Sequence, residues 1–295
     1  MRVNPDPTPT ILAALATTQQ AEETALQQMA TGRRVNKPSD DPAASAVLVE
    51  NHDASSRDDQ YLQSLAGVQA QMQNADQALN SVVTALQRAI TLGVQGNNGT
   101  MSDANRASVV QELQGIQQQL MSTANLTFQG QFVFAGTATQ TQPFVADSNS
   151  PSGVRYAGNG NTNQVAIGKG FNIQVNLPGS QLFTAPGNDM FQSINDLITS
   201  LQSGSSADAA IASVRKSFDY VTAQRVFYGN AMAQMDSQQN YLNNEKLGLS
   251  SQEDSIAGAD MATVVSSLTT SMTARTATLS AIGQISQVDL FDYLR

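Results

Sequence analysis

The sequence contains no cysteine, no tryptophan and one histidine in 295 residues. Without cysteine there is no disulfide framework, no thiolate metal site and no thiol nucleophile. It is also a composition compatible with an extracellular protein that crosses a membrane unfolded. Charge is scarce. Asp, Glu, Lys and Arg make up 13%, about half of the roughly 25% usual in globular chains. The balance is acidic, with 24 Asp and Glu against 15 Lys and Arg. Nucleic acid and anionic membranes require a basic surface, and the basic residues here are scattered, so neither is an expected partner. No run of 18 apolar residues occurs, which excludes a membrane-spanning helix. A secretory signal is missing too: Met1 to Pro7 holds one basic residue and then prolines, and the apolar stretch Ile11 to Ala16 is short and has no cleavage site after it. An exported chain of this kind needs a dedicated machine.

What fills the gap is Gln, Asn, Ser and Thr, a polar surface of low charge suited to packing like against like. The strongest positive signal is periodicity. Leu62, Leu65, Gln69, Met72, Asp76, Leu79, Val83, Leu86, Ile90 and Gly93 recur at alternating steps of three and four, a heptad pattern. Ala207, Ile211, Val214, Phe218, Val221, Arg225, Tyr228, Met232, Met235, Gln239, Leu242, Lys246 and Leu249 repeat it. Each segment of about 40 residues gives a helix of roughly 60 Å. Two long helices with single apolar stripes bury those stripes against each other. Gly96-Asn97-Asn98-Gly99-Thr100 breaks the chain, and Ser102 or Thr100 caps a shorter helix with the stripe Val109, Val110, Leu113, Ile116 and Leu120. A second short helix runs from Asp189 through Leu201, and Gly204-Ser205-Ser206 ends it and caps the long helix that follows.

Residues 126–186 change character toward Gly, Asn, Pro, Phe and Val. Phe132-Val133-Phe134, Val154-Arg155-Tyr156, Val165-Ala166-Ile167 and Phe171 to Val175 read as short strands. Gly158-Asn159-Gly160-Asn161 and Gly168-Lys169-Gly170 read as tight turns. The expected fold is therefore mainly α with a small β insert, an elongated antiparallel helical bundle whose N- and C-terminal helices pair. The expected domains are a terminal helical assembly domain (1–45 with 250–295), a long-helix bundle (46–125 with 187–249) and the β insert (126–186).

The two chain ends match in kind. Ile11, Leu12, Leu15, Leu26 and Met29 form a stripe near the start; Met261, Val265, Leu268, Met272, Leu279 and Ile282 keep the heptad rhythm near the end. Gln19, Glu22 and Arg275 fall on seam positions, where a polar residue lowers stability and sets register or partner choice. Such marginal helices are expected to order when paired and inside an assembly. These apolar residues, with Leu290 and Phe291 in the closing segment, are the candidate self-assembly set.

Several of these segments resemble one family. Met29 to Ala44, reading MATGRRVNKPSDDPAA, is similar to the N-terminal signature of bacterial flagellins and flagellin-like hook-associated proteins. In physical terms Gly32 ends a helix, Asp41 caps the next and Pro42 occupies its first turn. Gly99 to Arg106 resembles the family's helix break, Asp260-Met261-Ala262 opens the last helix, and Phe128 to Thr137 and the ending Asp289 to Arg295 are similar to the hook-filament junction members. The resemblance covers residues 1–140 and 185–295. It implies a structural subunit exported unfolded by the flagellar export apparatus, with a cytoplasmic chaperone on its C-terminal helix before export. Outside the cell, copies of the chain would form a ring between a neighbouring junction protein and flagellin. No cofactor and no turnover are implied. The alternatives are a filament flagellin or a secreted coiled-coil protein that binds a ligand through its β insert.

An enzyme reading finds little support. His52, with Asp53 beside it and Asp58 and Asp59 nearby, reads as a solvated residue near a helix start. Asp40 and Asp41 read as capping residues, because adjacent carboxylates do not converge. The Gly-rich run at 93–99 lacks the lysine of a phosphate loop. The methionines Met72, Met232, Met235, Met261 and Met272 are expected as core filling, with adaptable packing as the second reading.

Overall fold

Local signals decide where each helix begins and ends in the computed structural model, which describes residues 8–293, with side chains from residue 9 to residue 284. Helix α1 (Thr8–Thr31) carries Pro9 in its first turn, where a missing amide is harmless. It stops at Gly32, whose φ of +68° is open to glycine without strain. Helix α2 (Pro42–Gly96) opens on Pro42, and the Ala44 amide donates to Asp41 Oδ1 at 3.0 Å. Helix α3 (Asp103–Ala124) is capped by Ser102, whose Oγ accepts from the Asn105 amide at 3.3 Å. Asp189 caps α5 (Met190–Gln202) through the Gln192 amide at 2.9 Å. Helix α6 (Asp208–Ala257) is held at its start from two sides: the Asp208 amide donates to the expected Ser206 Oγ at 3.4 Å, and the Ala207 amide to Asn97 Oδ1 at 2.9 Å, from the break after α2. Helix α7 (Met261–Tyr293) follows Asp260, which accepts from the Ala262 amide at 3.0 Å and the Thr263 hydroxyl at 2.9 Å.

Between α3 and α5 lie four antiparallel hairpins: β1 (Thr127–Phe128) with β2 (Gln131–Phe132), β3 (Phe144–Ala146) with β4 (Val154–Tyr156), β5 (Gln164–Gly168) with β6 (Phe171–Gln174), and β7 (Thr184–Ala185) with β8 (Asn188–Asp189). A single turn of helix, α4 (Gly179–Leu182), precedes β7. The expected strand at Phe132-Val133-Phe134 is only its first residue; the Val133 amide still donates to the Leu126 carbonyl at 3.1 Å, and the side chains of Val133 and Phe134 are buried in the core. Gly158 to Asn161 is a connection rather than a hairpin turn. Asn159 Oδ1 accepts from the Thr137 amide at 2.8 Å and its Nδ2 donates to Thr137 Oγ1 at 2.8 Å, which ties the connection to the loop after β2.

The chain forms two compact units, Met1–Arg57 with Asn244–Arg295 and Asp58–Asn243. Both divisions fall inside α2 and α6, where no loop or change of composition marks a boundary. In the second unit, α2 and α6 run antiparallel, with Gln69 bonded to Asp236 at 3.0 Å and Asn97 to Asp208 at 2.8 Å. The row Leu65, Met72, Leu79, Leu86 of α2 is fully buried, as are Val214, Val221, Tyr228, Met235 and Leu242 of α6. The second expected row of α2 is only half-buried at Leu62, Gln69, Asp76, Val83 and Ile90; the buried one is Val68, Ala75, Val82 and Ala89, on the other side of the shared row. Alanine lets backbones approach closely, and a heptad search that weights large apolar groups passes over it. The polar seam residues Asp76 and Arg225 pair with each other, Nε to Oδ1 at 2.9 Å and Nη2 to Oδ2 at 3.0 Å. The hairpins share this core: Phe144 meets Phe183 at 5.7 Å and Phe191 of α5 at 5.4 Å between ring centroids.

Candidate assembly interface

The sequence-predicted residues at the chain ends lie on α1 and α7, which pack together. The helices run antiparallel, because the Ala259 amide just before α7 donates to the Gly32 carbonyl just after α1 at 2.9 Å. The loop between α1 and α2 closes this end. The Arg34 amide donates to the Ala257 carbonyl at 2.6 Å, and Arg34 Nη2 to the Ile256 carbonyl at 3.0 Å. The amides of Asn36 and Lys37 both donate to Asp40 Oδ2, and Val35 is buried beneath them. The Ala44 amide, with the Arg34 guanidinium at 3.1 Å next in importance, holds the Asp41 carboxyl below the usual carboxylate range. The Thr263 hydroxyl and the Ala262 amide do the same for Asp260. The paired Asp40 and Asp41 thus serve as loop and helix caps.

Of the candidate set, Ile11, Leu15, Leu268 and Ile282 are half-buried. Leu12, Leu26, Met29, Met261, Val265, Met272 and Leu279 are exposed, at 39% for Met29 up to 53% for Leu12, which corrects the expectation of one stripe buried between the two ends and of Met261 and Met272 as core. The physical reason is geometric. One helix against one helix covers a single strip of each, and the strip used on α7 is Val264, Leu268, Ser271, Arg275, Thr278 and Ile282. The row Val265, Met272 and Leu279, one step round the helix, is left outside. Sequence reasoning missed Ala25 and Val264, the residues of this pair that are buried outright among the described residues; both are small, and their steps from Glu22 and Leu268 were the available signal. It also missed that Glu22 and Arg275, two polar seam residues, meet. The side chains of Leu290 and Phe291 lie outside the described residues.

Among the described residues, no three His, Asp or Glu side chains converge as metal ligands, and no helix is long and apolar enough to cross a membrane. His52 is exposed. What the chain ends offer is an apolar surface on a helical pair.

The bacterial flagellin N-terminal helical region matches residues 8–139, and the bacterial flagellin C-terminal helical region matches residues 211–294. The two matched regions together cover well over half of the chain. The chain belongs to the flagellin-like family. Within it, flagellar hook-associated protein 3 of Escherichia coli (strain K12) is 26% identical over 291 residues, 90% of each chain. Flagellar hook-associated protein 3 of Salmonella typhimurium (strain LT2) is 40% identical over 119 residues, 40% of this chain and 38% of that one. The crystal structure of the flagellar junction protein FlgL from Legionella pneumophila shares the fold with a TM-score of 0.60 at 12% identity, covering 72% of this chain and 100% of that one. The flagellin-like fold accounts for the arrangement seen here: flanking helical regions from the two chain ends, paired, with the β hairpins between them.

Proposed function

We propose that this chain is a structural subunit of the bacterial flagellum at the hook-filament junction, assembled through its terminal helices and without catalytic turnover. Copies of the chain form a ring between a neighbouring hook-associated protein and flagellin, with residues 1–45 and 250–295 as the assembly domain. Export proceeds unfolded through the flagellar apparatus, with a chaperone on the C-terminal helix beforehand. The observation that carries this reading is the apolar row left outside the α1–α7 pair. Val265 and Met272 are about half exposed, at 48% and 52%, and large apolar side chains left in water along one face of a helix support an interaction surface. The names of the relatives support the flagellar location, and the 40% stretch shared with a hook-associated protein favours the junction over the filament.

The test is complementation of a strain lacking the gene. Val265→Asp with Met272→Asp should leave the helical content of the purified subunit unchanged and abolish swimming. Full swimming by that variant removes the assembly assignment. Growth of long fibres from the purified chain on filament seeds would make it a filament subunit instead.

A further inference from the structure

The strip shared by α1 and α7 is poor in large apolar groups. Thr18, Ala25, Ser271, Ala274 and Thr278 supply much of it. Side chains this small and this similar pack nearly as well one heptad up or down, so beyond the closed end, where the Ala259–Gly32 and Arg34–Ala257 backbone bonds fix the alignment, apolar packing leaves the register loosely determined. In the middle stand the two charged seam residues. Arg275 Nη1 lies 3.0 Å from Glu22 Oε2 and 3.2 Å from Oε1. The Glu22 side chain is 15% exposed and that of Arg275 43%, so the pair itself adds little to the native state. Its effect falls on the alternatives. In an antiparallel pair, a slip of one heptad carries Arg275 toward Leu15 or Met29 and leaves Glu22 facing Leu268 or Ile282. A sheltered carboxylate then loses both its counter-ion and its hydrogen bonds, which is the costly way to break such a pair.

We propose that Glu22 and Arg275 hold the register of the terminal helix pair beyond its closed end. Through the register they fix how the outward residues Leu12, Leu26 and Met29 of α1 are spaced against Val265, Met272 and Leu279 of α7. A single polar pair in an otherwise permissive seam is a known way of specifying alignment. The inference does not rest on the flagellar reading, because register is a property of one chain.

The natural absence of cysteine makes the test direct. In the purified full chain, Ala25→Cys with Ser271→Cys, one layer along from the ion pair, reports the native register by disulfide yield. Ala25→Cys with Thr278→Cys reports a slip of one heptad. With both charges intact the first pair crosslinks and the second does not. Arg275→Glu should lower the native crosslink about tenfold and raise the slipped one, and Glu22→Arg together with Arg275→Glu should restore the native pattern. Arg275→Gln, which creates no like-charge contact, should shift the yields in the same direction by less. Unchanged yields in Arg275→Glu, no recovery in the double exchange, or no native crosslink in the intact-charge chain each overturn the proposal. The readout comes from the subunit alone, so a failure to assemble into flagella leaves it interpretable.

Discussion

The two compact units bury their helices to very different degrees. In Asp58–Asn243, α2 and α6 are flanked by α3, α5 and the hairpins, and large side chains such as Leu79, Leu86, Phe134 and Phe191 are completely enclosed. In the unit formed by the chain ends, the buried apolar residues among those described are Ala25, Val35, Ala257 and Val264, all small. Of its large apolar residues, Ile11, Leu15, Leu268 and Ile282 are half-buried, and Leu12, Leu26, Met272 and Leu279 are exposed. A helix with several neighbours can bury more than one row, whereas a helix with one neighbour leaves a row in water. The central unit is finished as a single chain. The terminal unit leaves an apolar row exposed, and its helix pair is joined by backbone bonds at the closed end and by the Glu22–Arg275 ion pair farther along, where the central unit has continuous apolar rows.

The sharpest way to break that comparison is to truncate one leucine in each unit. Leu86→Ala should cost about 2–5 kcal/mol, because it opens a cavity in an enclosed site, whereas Leu279→Ala should change stability by less than about 0.5 kcal/mol, as for surface positions. Urea unfolding followed by circular dichroism measures both, and equal losses would erase the distinction. Glycines give a second contrast. Gly136 has φ +71°, and a β-carbon there would collide with the Asn159 carbonyl; Gly32 has φ +68° and open space around it. Gly136→Ala should destabilise by about 3 kcal/mol and Gly32→Ala by about 1 kcal/mol, since only the first adds a clash to the backbone strain.

A smaller effect is expected at Tyr228. Its hydroxyl is buried beside the Leu177 amide without a well-formed hydrogen bond, and burial pushes its pKa upward. Tyr228→Phe should therefore be neutral or stabilising by up to about 1 kcal/mol, because an unsatisfied buried hydroxyl is removed. A loss above that would show that the hydroxyl is well partnered after all.

The subtlest test concerns acid. Asp41 and Asp260 cap the helices of the terminal unit, and both carboxyls are held below the ordinary value. Their contribution is present above about pH 4 and is lost as pH falls through the depressed values. Burial raises Asp189, which caps α5 in the central unit, in the opposite direction. Its charged form is disfavoured in the fold, so protonation as pH falls relieves a cost. The amide resonances of Ala44 and Ala262 should titrate at lower pH than that of Gln192. The reverse order would contradict the environments described.

Helix ends were legible in the sequence because capping is local. Ser102, Asp189, Asp41 and Asp260 each act within three residues of their own position. The family resemblance was legible for a related reason, since the segment from Met29 to Ala44 encodes a helix stop, a loop and a helix start in sequence order. Less was legible in the hairpins. Phe132 to Phe134 alternates poorly and is pulled into an aromatic cluster with partners as distant as Phe183, a contact that no short window contains. The candidate interface was half legible. Its helices and apolar content were apparent, but Leu12, Met272 and Leu279 were assigned to a seam that the structure leaves open.

The sequence by itself determined the main helices, the caps at several of their ends, the heptad rhythm and membership in the flagellin-like family, because each rests on interactions within a few residues or on a pattern along the chain. Only the tertiary structure decided which of two adjacent rows on each helix is covered. It also decided that Asp76 meets Arg225 and that Glu22 meets Arg275. A heptad marks a shared row and two possible flanks with nearly equal weight, and the choice between them depends on how many neighbours a helix has. That number is set by contacts between residues far apart in the chain, such as Glu22 and Arg275, 253 positions apart, which periodicity does not contain.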